Sequence, residues 1–197
     1  EMYDDAVEFV GEVVGDHRAT AEQVTEKIED PLLAALLVGK ATVAAERGVA
    51  LWVSDRTRLP DRLVDPSGLV TIVGNLVDNA LDAVAGAPHA RVEVELRTEG
   101  RTAVLRVRDT GPGIPVEQRE LVFTEGWSTK EPPAHRGRGL GLSLVRKLAE
   151  RQGGSAAVAE ADGGGAEFTV VLPEALAEPQ PALTAPPAQQ AVTEEES

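Results

Sequence analysis

Two neighbouring runs of alternating residues constrain the fold of this chain more than any other feature. Residues 91–97 and 102–108 alternate hydrophobic and polar positions, which is the period of a half-buried β-strand. Glu99 and Gly100 separate the runs and form a turn signal, so we expect an antiparallel hairpin. A hairpin with one apolar face needs a covering layer on that side.

Helical patterns and a second hairpin accompany this one. The spacing predicts a strand, two helices and two further strands, over 49–53, 66–84, 140–151, 155–160 and 167–172 respectively. Helices and antiparallel strands are segregated along the chain. The predicted fold class is therefore an α/β two-layer sandwich, with a mixed, mainly antiparallel sheet under helices.

The first 28 residues follow a different pattern. From Tyr3 to Ile28, apolar side chains recur in alternating steps of three and four, and we call this stripe the seam. So narrow a stripe on one helix needs a partner helix, from the same chain or from another subunit. Asp30 and Pro31 then predict an N-cap and a first helical turn, opening a helix over 32–47. We take the junction at Asp30 as a candidate hinge.

Composition restricts the function. The 197 residues carry a formal net charge of −14, which repels phosphate backbones, so we expect no nucleic-acid partner. The chain has no cysteine, which excludes disulfides, thiolate metal sites and cysteine nucleophiles. No run approaches the roughly 20 apolar residues of a membrane span, so we expect a cytoplasmic fragment. Residues 174–197 are rich in Pro, Ala and Glu, and we expect them to be disordered.

Asn75 and Asn79 form the first candidate site. They lie four positions apart in the predicted helix over 66–84, so both amides face the same side. An amide oxygen is a neutral, hard ligand, which suits a magnesium ion already carried by phosphates and water. Taken alone, such a pair is more often an ordinary polar helix face.

Asp109 begins the second candidate site, Asp109-Thr-Gly-Pro-Gly113, directly after a predicted strand. A carboxylate fixed at a strand end can accept a hydrogen bond from an exocyclic amine such as that of adenine. Gly111 and Gly113 would let the backbone approach the base and the ribose. Taken alone, the segment is equally compatible with an ordinary turn.

The third and fourth segments lie between Phe123 and Gly141. Phe123 and Trp127 precede a polar stretch, and both are equally compatible with core packing. A glycine-rich loop then leads into the predicted helix over 140–151, so backbone N–H groups face a potential anion. Residues 130–151 hold six basic and two acidic residues, which favours a triphosphate. The candidate phosphate ligands are Lys130, Arg136, Gly137, Arg138, Gly139, Leu140 and Gly141.

In this order, the four segments resemble the N, G1, F and G2 boxes of histidine kinase ATP-binding domains. The resemblance covers residues 50–173 and implies the Bergerat fold of the GHKL ATPases, which include gyrase, Hsp90 and the mismatch-repair ATPases. It implies ATP and Mg²⁺ as cofactors, with Asn79 assisted by Asn75 on magnesium, Asp109 on adenine and the 137–141 loop on the phosphates. Two departures weaken expected contacts: Asp82 replaces a common lysine, and Ala166 a common threonine.

A finer resemblance is to citrate- and dicarboxylate-sensing kinases, on residues 30–41 and 74–83 and on Ser128-Thr-Lys130. It implies three parts: residues 1–29 as the second helix of a dimerisation hairpin, 30–173 as the catalytic domain and 174–197 as a tail. It also implies a homodimer through that hairpin, a response regulator as partner, and membrane anchoring only through segments upstream. His17 lies on the seam outside a phosphoacceptor context, so we expect the acceptor helix to be missing.

The expected function is transfer of the ATP γ-phosphoryl group to a histidine and then to an aspartate of a response regulator. Such transfer depends on positioning and charge neutralisation. A hydrolytic ATPase of the same fold is the first alternative, but it carries a glutamate base where this chain has Asn75, and an amide cannot accept a proton from water. The second alternative is a degenerate module that binds nucleotide or partners without transfer.

Overall fold

The computed structural model describes residues 22, 24–127 and 139–178. These residues form three helices of more than two turns and five strands. They are α1 (Pro31–Glu46), β1 (Ala50–Val53), α2 (Pro66–Ala83), β2 (Arg91–Glu99), β3 (Thr102–Asp109), α3 (Gly141–Arg151), β4 (Ser155–Glu160) and β5 (Ala166–Leu172). Two 3-10 turns, Val116–Gln118 and Leu121–Phe123, lie between β3 and α3.

The five strands form one sheet in the order β1-β2-β3-β5-β4. β1 runs parallel to β2, and the other neighbours are antiparallel. In the first hairpin Glu99 pairs with Thr102 around Gly100, whose φ of 64° is accessible to glycine at no steric cost. The predicted mixed, mainly antiparallel sheet is confirmed.

The inner face of the sheet packs under the helices. Its alternating apolar side chains are buried, with α2 against β3, α3 against β4, and α1 against both α2 and β1. Phe168 of β5 lies at the centre, and its ring meets that of Phe123 edge-to-face at a centroid distance of 6.2 Å. The described residues therefore form the expected two-layer α/β sandwich.

Among the described residues, the outer face of the sheet carries a ladder of charged side chains and no second helix layer. Arg108 lies between Glu93 and Glu167 on the neighbouring strands, forming ion pairs with both. The adjacent Glu95 is buried beneath arginines, with Arg106 Nη1 3.5 Å from its Oε1. Opposite charges directly across neighbouring strands stabilise a sheet face that meets solvent.

Side-chain caps fix the start of two helices. Asp30 accepts a hydrogen bond from the Leu33 N–H at 2.8 Å, and Pro31 occupies the first helical turn, as predicted. Asp65 caps α2 in the same way through the Gly68 N–H at 2.9 Å. These caps define the first residues of α1 and α2.

The junction before α1, residues 24–30, differs from the sequence prediction. Val24 and Ile28 were assigned to the seam, but they are 0% and 2% exposed and belong to the core of this domain. Ile28 forms a parallel bridge with Leu59, and the Glu29 N–H donates to the Leu59 carbonyl at 3.0 Å. These contacts leave no freely pivoting link at Asp30, contrary to the expected hinge. The rest of the seam lies outside the described residues.

The C-terminal boundary also differs from the prediction at Pro173. Ala175 and Leu176 are buried, and Leu176 forms a bridge with Leu63. Arg101 Nε donates to the Leu176 carbonyl at 3.0 Å. Packing therefore continues past the expected end of the domain, while residues 179–197 lie outside the described part. No helix among the described residues has the length and apolar character of a membrane span.

Candidate functional site

Asp109 ends β3 with a carboxylate whose two oxygens differ in their surroundings. The residue is 3% exposed, and Oδ1 accepts hydrogen bonds from the N–H groups of Gly111 at 2.8 Å and Ala166 at 3.3 Å. Oδ2 is buried and has no hydrogen-bond partner among the described residues. One oxygen therefore fixes the side chain, and the other remains able to accept a hydrogen bond from a ligand.

Electrostatics agree with this assignment. Burial raises the pKa of the Asp109 carboxyl, while the hydrogen bonds from Gly111 and Ala166 oppose that shift. A buried acceptor without a partner costs about 1–3 kcal/mol until a donor reaches it. A ligand that brings an N–H group to Oδ2 would recover this free energy, so the site favours a donor such as an exocyclic amine.

Glycine residues bring backbone close to Asp109. A Cβ on Gly111 would lie 2.8 Å from Asp109 Oδ1 and 3.0 Å from the Ala83 carbonyl oxygen at the end of α2. Gly165 has a φ of 93°, and a Cβ there would overlap the Asp109 carbonyl oxygen. Sequence reasoning missed Gly165, because the run 163–165 resembles an ordinary turn. Its position immediately before the predicted last strand was the available signal in the sequence.

Asn75 lies in α2 with its amide orientation fixed. Its Nδ2 donates to the Thr71 carbonyl at 2.7 Å, so its Oδ1 is left to accept hydrogen bonds or bind a cation. This oxygen faces the start of α3, because a Cβ on Gly141 would lie only 2.8 Å from it. Asn79 follows one turn later and is half-buried. The structure therefore brings the predicted amide helix face and the predicted phosphate loop together.

The start of α3 presents backbone N–H groups beside Asn75. No side-chain hydrogen bond from the described residues caps this helix, so its first N–H groups keep their capacity for an anion. Gly139 has a φ of 82°, and its carbonyl accepts from the Gly126 N–H at 3.1 Å. Leu140 is exposed at the same end. Three of the predicted phosphate-site residues are thus placed: Gly139, Leu140 and Gly141.

The remaining predicted phosphate ligands lie outside the described residues. They are Lys130, Arg136, Gly137 and Arg138, and their roles stay predictions. Phe123 and Trp127, which precede this stretch, pack against the core. The Arg146 guanidinium lies over the Phe123 ring at 4.2 Å, so α3 and the Leu121–Phe123 turn are joined.

The two departures from the resembled boxes have structural counterparts. Asp82, on α2, pairs with Arg47 at the end of α1, with 3.2 Å between Oδ1 and Nη1. Ala166 contacts Asp109 through its backbone N–H, a bond that any non-proline residue would supply. A charged helix-helix contact therefore uses the position where many histidine kinases carry lysine, and the Asp109 carboxylate is held without a threonine hydroxyl.

Comparison with known proteins agrees with this geometry. Residues 64–176 match the family model described as histidine kinase-, DNA gyrase B- and HSP90-like ATPase. The chain is 34% identical over 175 residues to the sensor protein CitS of Halalkalibacterium halodurans, covering 87% of this chain and 32% of that protein. It is 30% identical over 175 residues to the sensor histidine kinase DcuS of Escherichia coli K12, covering 88% and 32%. The chain thus spans about a third of the length of these relatives.

Solved structures show the same likeness. Full-length ShkA in complex with AMPPNP superposes with a TM-score of 0.61 at 31% identity, over 74% of this chain and 30% of that chain. The mycobacterial sensor histidine kinase MprB superposes with a TM-score of 0.57 at 30% identity, over 72% and 93%. The family model spans more than half of the sequence and includes both ends of the site. The chain therefore belongs to the histidine kinase-, DNA gyrase B- and HSP90-like ATPase family.

Proposed function

We propose that this chain is the catalytic ATP-binding part of a sensor histidine kinase, which transfers the γ-phosphoryl group of ATP to a histidine on an acceptor helix. The observation that carries the proposal is the presence of two acceptors along α2, one on the middle of the helix and one beside its C-terminal end. Asp109 Oδ2 lies near the end of the helix at Ala83, and Asn75 Oδ1 lies beside the start of α3. The step of eight positions from Asn75 to Ala83 separates these two points by about 12 Å along the helix.

Asp109 would recognise the base. Its Oδ2 would accept a hydrogen bond from the adenine amino group, while Gly111 and Gly165 leave room for backbone close to the carboxylate. Guanine presents a carbonyl oxygen where adenine has this amine, so it would set two acceptors against each other. The site therefore favours ATP over GTP.

Asn75 and Asn79 would hold the magnesium ion that accompanies the triphosphate. Amide oxygens are hard, neutral ligands, and the hydrogen bond to Thr71 already turns the Asn75 Oδ1 towards the start of α3. The metal would supply charge neutralisation at the phosphate oxygens. The first N–H groups of α3, beside Asn75, would bind phosphate oxygens directly.

The same residues argue against hydrolysis. An amide at position 75 cannot accept a proton from an attacking water molecule, so the nucleophile must come with its own reactivity. A histidine on an acceptor helix meets that requirement, since the kinase then contributes only positioning and charge neutralisation. We further propose a homodimer through the helical hairpin, a response regulator as the next phosphate acceptor, and membrane anchoring through other segments of the full-length kinase.

The test is phosphoryl transfer in trans. The chain, magnesium and γ-labelled ATP are mixed with a separately supplied acceptor hairpin, and the label should be acid-labile, base-stable and confined to that hairpin. Transfer should be slow, since a tethered acceptor has a far higher effective concentration. Asn79→Ala should abolish it.

Two other results would contradict the proposed kinase activity, and a third would contradict only the expected position of the acceptor histidine. Release of inorganic phosphate without labelled hairpin would identify a hydrolase. Nucleotide binding with neither reaction would identify a binding module. Acid-labile label on the chain itself, abolished by His17→Gln, would show that the acceptor had been present throughout.

A further inference from the structure

Lys27 is a buried cation that the nucleotide site does not use. Its side chain is 7% exposed, and its Nζ lies 3.3 Å from the Val53 carbonyl, 3.4 Å from the Ser54 carbonyl and 2.7 Å from Asp55 Oδ1. Lysine is almost never so deeply buried unless its charge is paired. The neighbouring ammonium lowers the pKa of the Asp55 carboxyl, through a hydrogen bond first and through charge second.

These three hydrogen bonds, which we call the latch, act on the end of β1. Val53 is the last residue of that strand, and Ser54 and Asp55 begin the loop that follows. The loop is also tied to β2, since the Thr57 hydroxyl accepts from the Leu96 N–H at 3.2 Å and the Arg58 N–H donates to the Leu96 carbonyl at 2.8 Å. The latch therefore joins residue 27 to the sheet itself.

Backbone contacts on both sides of Lys27 reinforce the latch. The Leu59 N–H donates to the Lys27 carbonyl at 3.1 Å, and the Glu29 N–H donates to the Leu59 carbonyl at 3.0 Å. Val24 and Ile28 pack into the core on the same segment. Residues 24–27 are helical, so the last turn of this helix is held against the catalytic domain as a fixed extension.

We propose that Lys27 is a positioning residue that sets the orientation of the nucleotide site relative to the helix ending at residue 27. This inference rests on the proposed function, in which that helix belongs to the hairpin carrying the acceptor histidine. Phosphoryl transfer within one kinase requires the two groups to meet in a narrow geometry, and a misplacement of about 1 Å can cost two orders of magnitude in rate. A docked last turn restricts the catalytic domain to few orientations.

The test compares Lys27→Met with wild type in the full-length kinase and in transfer to a separate hairpin. Methionine keeps the length of the side chain but removes the charge and all three hydrogen bonds. Transfer within the kinase should fall about tenfold or more, whereas ATP affinity and transfer in trans should stay within about twofold. Lys27→Arg, which restores a cation, should recover part of the loss.

Arg101→Met is the matched control. Arg101 also donates to a backbone carbonyl, that of Leu176 at 3.0 Å, and also pairs with a carboxylate, but at the far end of the hairpin β2–β3. Removing it should leave the ratio of transfer within the kinase to transfer in trans unchanged. A second readout is amide hydrogen exchange at Glu29 and Leu59, which should accelerate in Lys27→Met.

The outcomes separate the latch from the proposed function. Absence of transfer in wild type, both within the kinase and in trans, would refute the proposed function. If the wild type transfers phosphate, an unchanged or increased rate of transfer within the Lys27→Met kinase would overturn the positioning role of Lys27. An equal fall in the rate of transfer in trans would overturn it too. Unchanged amide exchange at Glu29 and Leu59 would overturn it independently of any activity.

Discussion

At the residue scale, the two oxygens of Asp109 have different roles. Oδ1 is fixed by two backbone N–H groups, one from the loop after β3 and one from the first residue of β5, and Oδ2 has no partner among the described residues. Sequence reasoning reached Asp109 because it follows a strand and precedes two glycines. It did not identify the Ala166 N–H or Gly165, since any residue type can make a contact through its backbone and the sequence therefore gives no sign of it.

Asp109→Asn should reduce selectivity for ATP over GTP. The new amide keeps one acceptor for Gly111 and Ala166 but can place an N–H donor where the adenine amine donates, so two donors would face each other. We expect ATP affinity to fall about tenfold or more, which is about 1.4 kcal/mol, while GTP affinity falls less. Calorimetric titration with both nucleotides measures this. Asp61→Asn, at an exposed acid in the loop between β1 and α2, is the control and should change neither affinity.

Asp109→Asn should also change how the stability of the fold depends on pH. Burial raises the pKa of Asp109 in the folded chain above its value in the unfolded chain, so ionisation lowers the stability of the fold as the pH rises through the raised pKa. Asn carries no charge, so the nucleotide-free variant should melt at a higher temperature than wild type at pH 7. The difference should narrow as the pH falls and wild-type Asp109 takes up its proton. A variant that melts lower than wild type at neutral pH would contradict this.

At the element scale, the close approach of α2 and α3 defines the phosphate end of the site. The start of α3 lies against Asn75, and α3 also packs on α2 and β4 along its length. The sequence predicted both helices from their apolar spacing and from Gly153-Gly154. It could not predict their contact at Gly141, since spacing along one helix carries no information about which residue of another helix it meets.

Gly141→Ala should lower the affinity for ATP without a matching loss in the free energy of unfolding. A Cβ at this position would lie 2.8 Å from Asn75 Oδ1, so the start of α3 or the amide must move. Mg²⁺-dependent ATP affinity should fall about tenfold or more, although alanine is the better helix former by about 1 kcal/mol. Gly39→Ala in α1 is the matched control, because nothing lies within 4 Å of its Cβ position. It should raise the free energy of unfolding and leave ATP affinity unchanged, and a similar effect of both variants on ATP binding would remove Gly141 from the site.

At the scale of the whole molecule, the alternating strands and capped helices made the two-layer sandwich predictable, while its two boundaries were not. Val24 and Ile28 recur at the spacing of a helix seam, and a seam and a docking stripe share that spacing, so their burial in this domain was indistinguishable from a coiled-coil contact. Ala175 and Leu176 lie at the start of a Pro- and Glu-rich stretch. Because that composition predicts disorder, the burial of these two side chains was not expected. Both errors concern tertiary contacts across long sequence separations.

The central claim is one nucleotide site that extends from Asp109 to Asn75 and Asn79. Titration calorimetry of the chain with ATP, with and without magnesium, tests it most directly. We expect binding in both conditions and tighter binding with magnesium. Asn79→Ala should lose more affinity with the metal than without it, because the amide contacts the metal and not the base. No heat and no displacement of a fluorescent ATP analogue would contradict the claim, and an equal loss for Asn79→Ala in both conditions would contradict the metal role.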